Sequence, residues 1–283
     1  MRLFDLPQAA HFCAPSSAAP AGGTQSLAAF HAALGRGTTS FAEGTTYFRV
    51  HQENLLVSVE RWLVYAIGHY RRAIEMFVPV SAPWAQVTLY YSSFFAANAI
   101  LGMFGGWIGQ TLSGRRLVDV ERGTVGSQEL RIHRKFSSPS RAVGSHRMFW
   151  DIFYDSTATI TAWAPAKLTG VLTPVNGDFA WQIAERNNVN YDMFHAWTTS
   201  SMFYSTFKPA RLNSLSGPLR LQLDTTEEML KLALHFAQAV SLSTGSLQGC
   251  GVAGTRGLVQ RRLVTQAAPG LVTQSALAEL LAL

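Results

Sequence analysis

Residues Trp84 to Gln110 run for 27 positions without a charged side chain, and nothing else in the sequence limits the fold as strongly. The stretch exceeds the ~20 residues that cross a bilayer, so it is either a membrane segment or a helix enclosed by the rest of the chain. Gln86, Ser92, Ser93 and Asn98 interrupt its middle, glycines stand at 102, 105 and 106, and no second apolar span accompanies it. We therefore expect a buried central helix, with membrane association through 84–110 as the lesser alternative. Ser92, Ser93, Ala96, Ala97 and Ala99 are small enough to let neighbouring helices approach closely. Gly105-Gly106 is expected to end it.

A buried helix needs amphipathic neighbours, and the sequence supplies them. From Tyr47 to Val78, residues Val50, Leu55, Val59, Trp62, Leu63, Ala66, Ile67, Tyr70, Ile74 and Phe77 recur at helical spacing, and Pro79 closes the run. Arg49, Glu53, Glu60, Arg61, Arg71, Arg72 and Glu75 are expected on its solvated face. Ser26 to Leu34 and His146 to about Ile160 read as shorter helices, and 168–177 reads as loop. Asp178 is placed to cap a helix from there to about Phe207, and Thr225 with Glu228 fits a capping box opening another, with Met229, Leu232, Ala233, Phe236 and Val240 on one face.

Between these helices the period changes to two. Arg115 to Glu121 and Glu129 to Phe136 alternate around a turn at Gly123 to Gly126, which predicts a β-hairpin insertion over about 114–137. Arg115, Arg116, Arg131, Arg134 and Lys135 make the hairpin basic and mark it as a candidate surface for phosphate backbones. An ordinary solvated insertion reads equally well. The expected organisation is a flexible arm and short helix over 1–45, a helical domain over 46–243, and a loosely ordered tail over 244–283.

Apolar residues make up 48% of the chain and charged ones only 14%, so part of the surface is expected to be covered, most simply by a second copy. The net charge of +6 suits an anionic partner such as RNA, though solubility alone accounts for a charge of that size. Cys13 and Cys250 are too few for a disulfide framework or a zinc site, which points to a reducing compartment and the cytoplasm. No metal or cofactor motif is present: His-Glu-x-x-His, paired cysteines and Gly-x-Ser-x-Gly are missing, and the Gly-x-Gly at 35–37 lacks its strand-turn-helix setting.

The candidate site lies in Trp181-Gln182-Ile183-Ala184-Glu185-Arg186-Asn187-Asn188-Val189-Asn190-Tyr191, where a cation, amides and a phenol interrupt an apolar helical pattern. Buried polar groups destabilise unless paired, so such a cluster is either a hydrogen-bonded network between helices, with Glu60 or Glu185 as counter-charge, or a site. At helical spacing, Asn187, Tyr191 and His195 form one strip, and Arg186 with Asn190 the next. A guanidinium binds phosphate in a bidentate fork, so this wall suits a phosphodiester.

Tyr90-Tyr91-Ser92-Ser93-Phe94-Phe95-Ala96-Ala97, followed by Trp181-x-Ile183-x-x-Arg186-Asn187-x-Val189, resembles HEPN domains, the all-α bundles of prokaryotic toxins and defence proteins. The resemblance covers roughly 47–110 and 178–241. It implies an up-and-down helical bundle and a metal-independent endoribonuclease whose site forms across a homodimer from an Arg, a following polar residue and a His four to six residues beyond the Arg. On this chain those roles fall to Arg186 and Asn187, with Asn190 beside them, but Tyr191 stands where the His is expected. Phenols titrate near ~10 and imidazoles near ~6.5, so the proton-transfer role passes either to Tyr191 or to His195; Arg141-x-x-x-x-His146 is the less favoured site. The alternative is a catalytically silent HEPN-like module that binds RNA or a protein partner such as an antitoxin.

Overall fold

In the computed structural model the described residues are 3–14, 26–34, 40–77, 81–111, 114–122, 128–133, 145–174, 177–178, 181–192, 196, 217–240 and 242. They fold as a mainly α-helical structure, as expected. The tail over 244–283 lies outside them, as do His195, Arg134, Lys135 and Arg141.

The uncharged stretch forms helix α4, Ala82–Met103, packed between α3, Thr46–Glu75, and α8, Gly217–Ala239. Leu89, Tyr90, Ala96, Ala97, Ala99 and Ile100 are fully buried on it. Its polar residues are satisfied rather than exposed: the Ser92 hydroxyl donates to the Ala66 carbonyl on α3 at 2.6 Å, and Ser93 and Thr226 on α8 share a hydrogen bond at 2.9 Å. No helix of the described residues is long and apolar enough to cross a membrane.

Gly105 ends α4 earlier than residue 110. At φ +82° it adopts the left-handed conformation, while the Gly106 amide reaches back to the Leu101 carbonyl at 2.8 Å and the Gly105 amide to Gly102 at 3.0 Å. This Schellman closure satisfies carbonyls that the last turn leaves open. Residues 107–111 then form strand β2. The insertion is consequently larger than a hairpin. Strands β3, Gly114–Arg122, and β4, Gln128–His133, pair antiparallel as predicted, and β2 and the short β1, Ser40–Ala42, flank them in a sheet of order β1-β4-β3-β2.

The N-terminal segment differs from the expected flexible arm. Helix α1, Leu6–Cys13, is closed by a capping box between Asp5 and Gln8, and Phe4, Ala9, Phe12 and Cys13 are buried in the core. Its short apolar face, broken in sequence by Asp5 and His11, shows as a docking face only against α3 and α4. Helix α2, Leu27–Ala33, forms within the expected 26–34 stretch, and the Ser26 side chain caps it by accepting from the Ala29 amide.

Helix α5, Ser145–Ser156, lays Phe149, Trp150 and Phe153 onto the core. Thr157 separates it from the short α6, Ala158–Thr161, by turning its hydroxyl to the Tyr154 and Leu172 carbonyls. A 3-10 turn occupies Ala166–Leu172 where loop was expected. Helix α7 is described over Trp181–Tyr191; residues 179–180, between it and the expected cap Asp178, lie outside the described residues. Its expected continuation to Phe207 lies almost wholly outside the described residues. Helix α8 begins at Gly217, well before Thr225, because Thr225 and Thr226 are buried inside it; the Thr226 hydroxyl donates to the Gln222 carbonyl one turn back, so no capping box forms. Its predicted apolar face, Met229, Leu232, Ala233, Phe236 and Val240, is buried.

Candidate active site at Arg186, His146 and Tyr90

Helix α7 meets α4 along a polar seam. Gln86 and Tyr90 are one turn apart on α4 and face the adjacent Glu185 and Arg186 on α7: Gln86 Nε2 donates to Glu185 Oε2 at 3.2 Å, and the Arg186 guanidinium lies over the Tyr90 ring, 5.6 Å from its centroid. Deeper in, Gln222 Nε2 of α8 donates to Gln182 Oε1 at 3.2 Å, which fixes the start of α7. Part of the polar cluster is thus a structural network, and Arg186 is the part that remains available.

The third contributor is α5. His146 Nδ1 is 2.7 Å from the Tyr90 hydroxyl oxygen, and the Trp150 indole N–H donates to that same oxygen at 3.3 Å. The indole is donor-only, so the oxygen accepts from Trp150 and has capacity left both to donate to and to accept from His146. When Nδ1 carries the proton, Tyr90 accepts a hydrogen bond from it and His146 Nε2 keeps the lone pair of a base. Phe94 packs against the imidazole at 4.8 Å between centroids and restricts its rotation.

The electrostatics follow from partial enclosure beside a fixed cation. Burial, and secondarily the positive charge of Arg186, lower the pKa of His146, so its neutral form persists below the usual imidazole range. Burial pushes the Tyr90 phenol up to about 12 against the opposing pull of Trp150 and Arg186, so it stays a neutral hydroxyl at physiological pH. Arg186 Nε is enclosed without a hydrogen-bond partner, and among the described residues no carboxylate lies within ion-pairing distance of Arg186. The expected counter-charges are engaged elsewhere or too remote: Glu185 holds Gln86, and Glu60 is buried on α3. A guanidinium set on an aromatic face, beside a neutral imidazole and with no carboxylate paired to it among the described residues, is arranged to receive an anion.

The sequence-predicted residues divide accordingly. Arg186 is in the site, and Asn187 and Asn190 are half-buried on the same helix. Tyr191 is 78% exposed and is not part of the cluster. Five residues at ~100° each carry it about 140° around the helix from Arg186. His146 joins Arg186, so the two separate sequence patterns each contribute a residue to a single cluster; Arg141 lies outside the described residues. Tyr90 and Trp150 were missed as site residues. The available signal for Tyr90 was a phenol inside an uncharged, otherwise apolar helix; Trp150 gave none. Of the basic hairpin, Arg131 is exposed and bound to Glu129 at 3.3 Å, and Arg115 and Arg116 lie on β3 with only their backbone described. The described residues gather no cluster of His, Cys, Asp and Glu of the kind that cages a metal. The chain matches no family model, no curated protein and no solved structure.

Proposed function

We propose that this chain is a metal-independent RNA endonuclease of the toxin or defence type, acting as a cytoplasmic homodimer, with Arg186 and His146 as its central pair. The observation that carries the reading is their convergence on Tyr90, with no carboxylate paired to the guanidinium among the described residues. Arg186 binds the non-bridging oxygens of a phosphodiester and offsets the charge that builds on them. His146 Nε2 takes the proton of the ribose 2′-hydroxyl as its oxygen attacks phosphorus; the 5′-oxygen leaves and is protonated from water, giving a 2′,3′-cyclic phosphate. Tyr90 is a positioning residue that holds His146 Nδ1, and Asn187 and Asn190 orient the substrate from the same helix.

Total RNA incubated with the purified protein in EDTA is expected to be cut to fragments ending in 2′,3′-cyclic phosphate. Arg186→Ala and His146→Ala are each expected to lower the rate by at least 100-fold, the range for losing a charge-stabilising or proton-transferring group, while circular dichroism stays unchanged. Intact RNA with the wild-type protein sinks the nuclease reading. RNA retained without cleavage favours the non-catalytic binding module, a reading that the outward-facing Tyr191 at the expected His position also favours.

A further inference from the structure

Four aromatic rings meet on the outer seam between α3 and α4. Tyr65 and His69 are one turn apart on α3, and Tyr91 and Phe95 are one turn apart on α4. Ring centroids are 5.5 Å apart for Tyr65 and Phe95, 5.2 Å for His69 and Phe95, and 6.2 Å for His69 and Tyr91. Tyr65 is 53% exposed, and the other three are half-buried, each showing part of its ring. His69 Nδ1 donates to the Tyr65 carbonyl at 2.7 Å, which pins its ring, and Gly68 beside it leaves open space where any other residue would project a side chain.

Two features say what covers these rings. The first is continuity: Tyr91 lies 6.1 Å from His146, and Phe94 connects Phe95 at 5.8 Å to His146 at 4.8 Å, so the seam runs directly into the Arg186 cluster. The second is charge. Arg61, one turn before Tyr65, and Arg72, three residues after His69, are exposed at the two ends of the α3 strip; Arg72 is ion-paired with Glu75 at 3.0 Å, and among the described residues no carboxylate lies between the four rings. Apolar ring faces flanked by cations match a strand whose bases are unpaired and whose backbone is anionic. A duplex hides its base faces and could not use them.

We propose that Tyr65, His69, Tyr91 and Phe95 form a base-stacking subsite for single-stranded RNA, which holds the nucleotides flanking the phosphate bound at Arg186. This rests on the nuclease reading above for the identity of the ligand, and it adds a strand preference and a place where that preference is set. Tyr65, as the most exposed ring, contributes at the distal end. Arg61 meets the backbone there.

The test uses uncleavable 2′-O-methyl RNA, so binding is read whether or not the protein cuts. A fluorescent 12-nucleotide single strand is titrated with the wild-type protein, and with Tyr65→Ala, Tyr65→Trp and the control Trp163→Ala, an exposed aromatic away from the seam. Stacking of one base onto one aromatic predicts about 5- to 100-fold weaker binding by Tyr65→Ala and near wild-type binding by Tyr65→Trp and the control. An abasic strand of equal length is expected to bind the wild type as weakly as the base-bearing strand binds Tyr65→Ala. Equal binding of the two strands, unchanged affinity in Tyr65→Ala, or no binding at all overturns the subsite. So does a sedimentation shift from dimer to monomer in Tyr65→Ala with RNA affinity unchanged, which would assign the seam to a second copy. Base-dependent binding by a protein that never cuts RNA would instead sink the nuclease reading alone.

Discussion

Arg186 rests on an aromatic face, and that placement governs its neighbour. A cation near an imidazole disfavours the second proton, and burial adds to the same effect, so both lower the pKa of His146. Replacing Arg186 by Gln removes the charge and leaves the enclosure. The pKa of His146 should therefore rise towards, but not reach, the usual ~6.5, as read from its ring resonances in an NMR titration. A value unchanged by the substitution would show that Arg186 does not sit beside His146. Arg186 was legible in the sequence as a charge inside an apolar pattern. Its partners were not, because Tyr90 and His146 lie 56 residues apart and meet only when α4 and α5 pack. Tyr191 was paired with Arg186 through the family spacing alone, and a position five residues on faces a different direction from Arg186.

At the level of elements, the central helix was the most readable feature, because 27 uncharged positions admit few environments. Its contact with α3 depends on one small residue. A Cβ at Gly102 would run into Val59 Cγ2, with Trp62 and Leu55 close behind, and Val59 is fully buried with no room to turn aside. Gly102→Ala should therefore destabilise the protein by about 1–3 kcal/mol, although alanine is the better helix former, because overpacking outweighs propensity here. Urea denaturation measures it; a stabilised variant would mean that the two helices lie further apart. The sheet was read only in part, since its central hairpin alternates over long runs while β1 has three residues and β2 continues the uncharged stretch. Short strands carry too little period to be seen without their partners. Helix α8 opens at Gly217 rather than at Thr225 for a related reason: a threonine buried in mid-helix looks the same in sequence as one that caps it.

Across the whole molecule, the buried ionisable groups of α3 set opposing pH dependences. His51 is fully buried, shares a hydrogen bond of 3.0 Å with His31, and is held well below the usual imidazole range by burial and by that second imidazole. The unfolded chain takes up its proton near ~6.5 and the folded chain resists it, so the stability His51 confers is present above that pH and is lost as pH falls. Glu60 behaves in reverse. Burial pushes its carboxyl up to about 7, against the attraction of Arg61, so the folded state keeps a proton that the unfolded state gives up near ~4.3. Its contribution is complete at low pH and is lost as pH rises towards and through 7. Glu60→Gln keeps the neutral shape and removes the ionisation. It should therefore melt higher than the wild type at pH 8 and not at pH 5, whereas His51→Gln, which retains a partner for His31, should gain on the wild type only on the acid side. Two melting curves per variant decide it. If both substitutions shift Tm by the same amount at both pH values, neither group titrates differently on folding, and the enclosed end of α3 is wetter than its packing indicates.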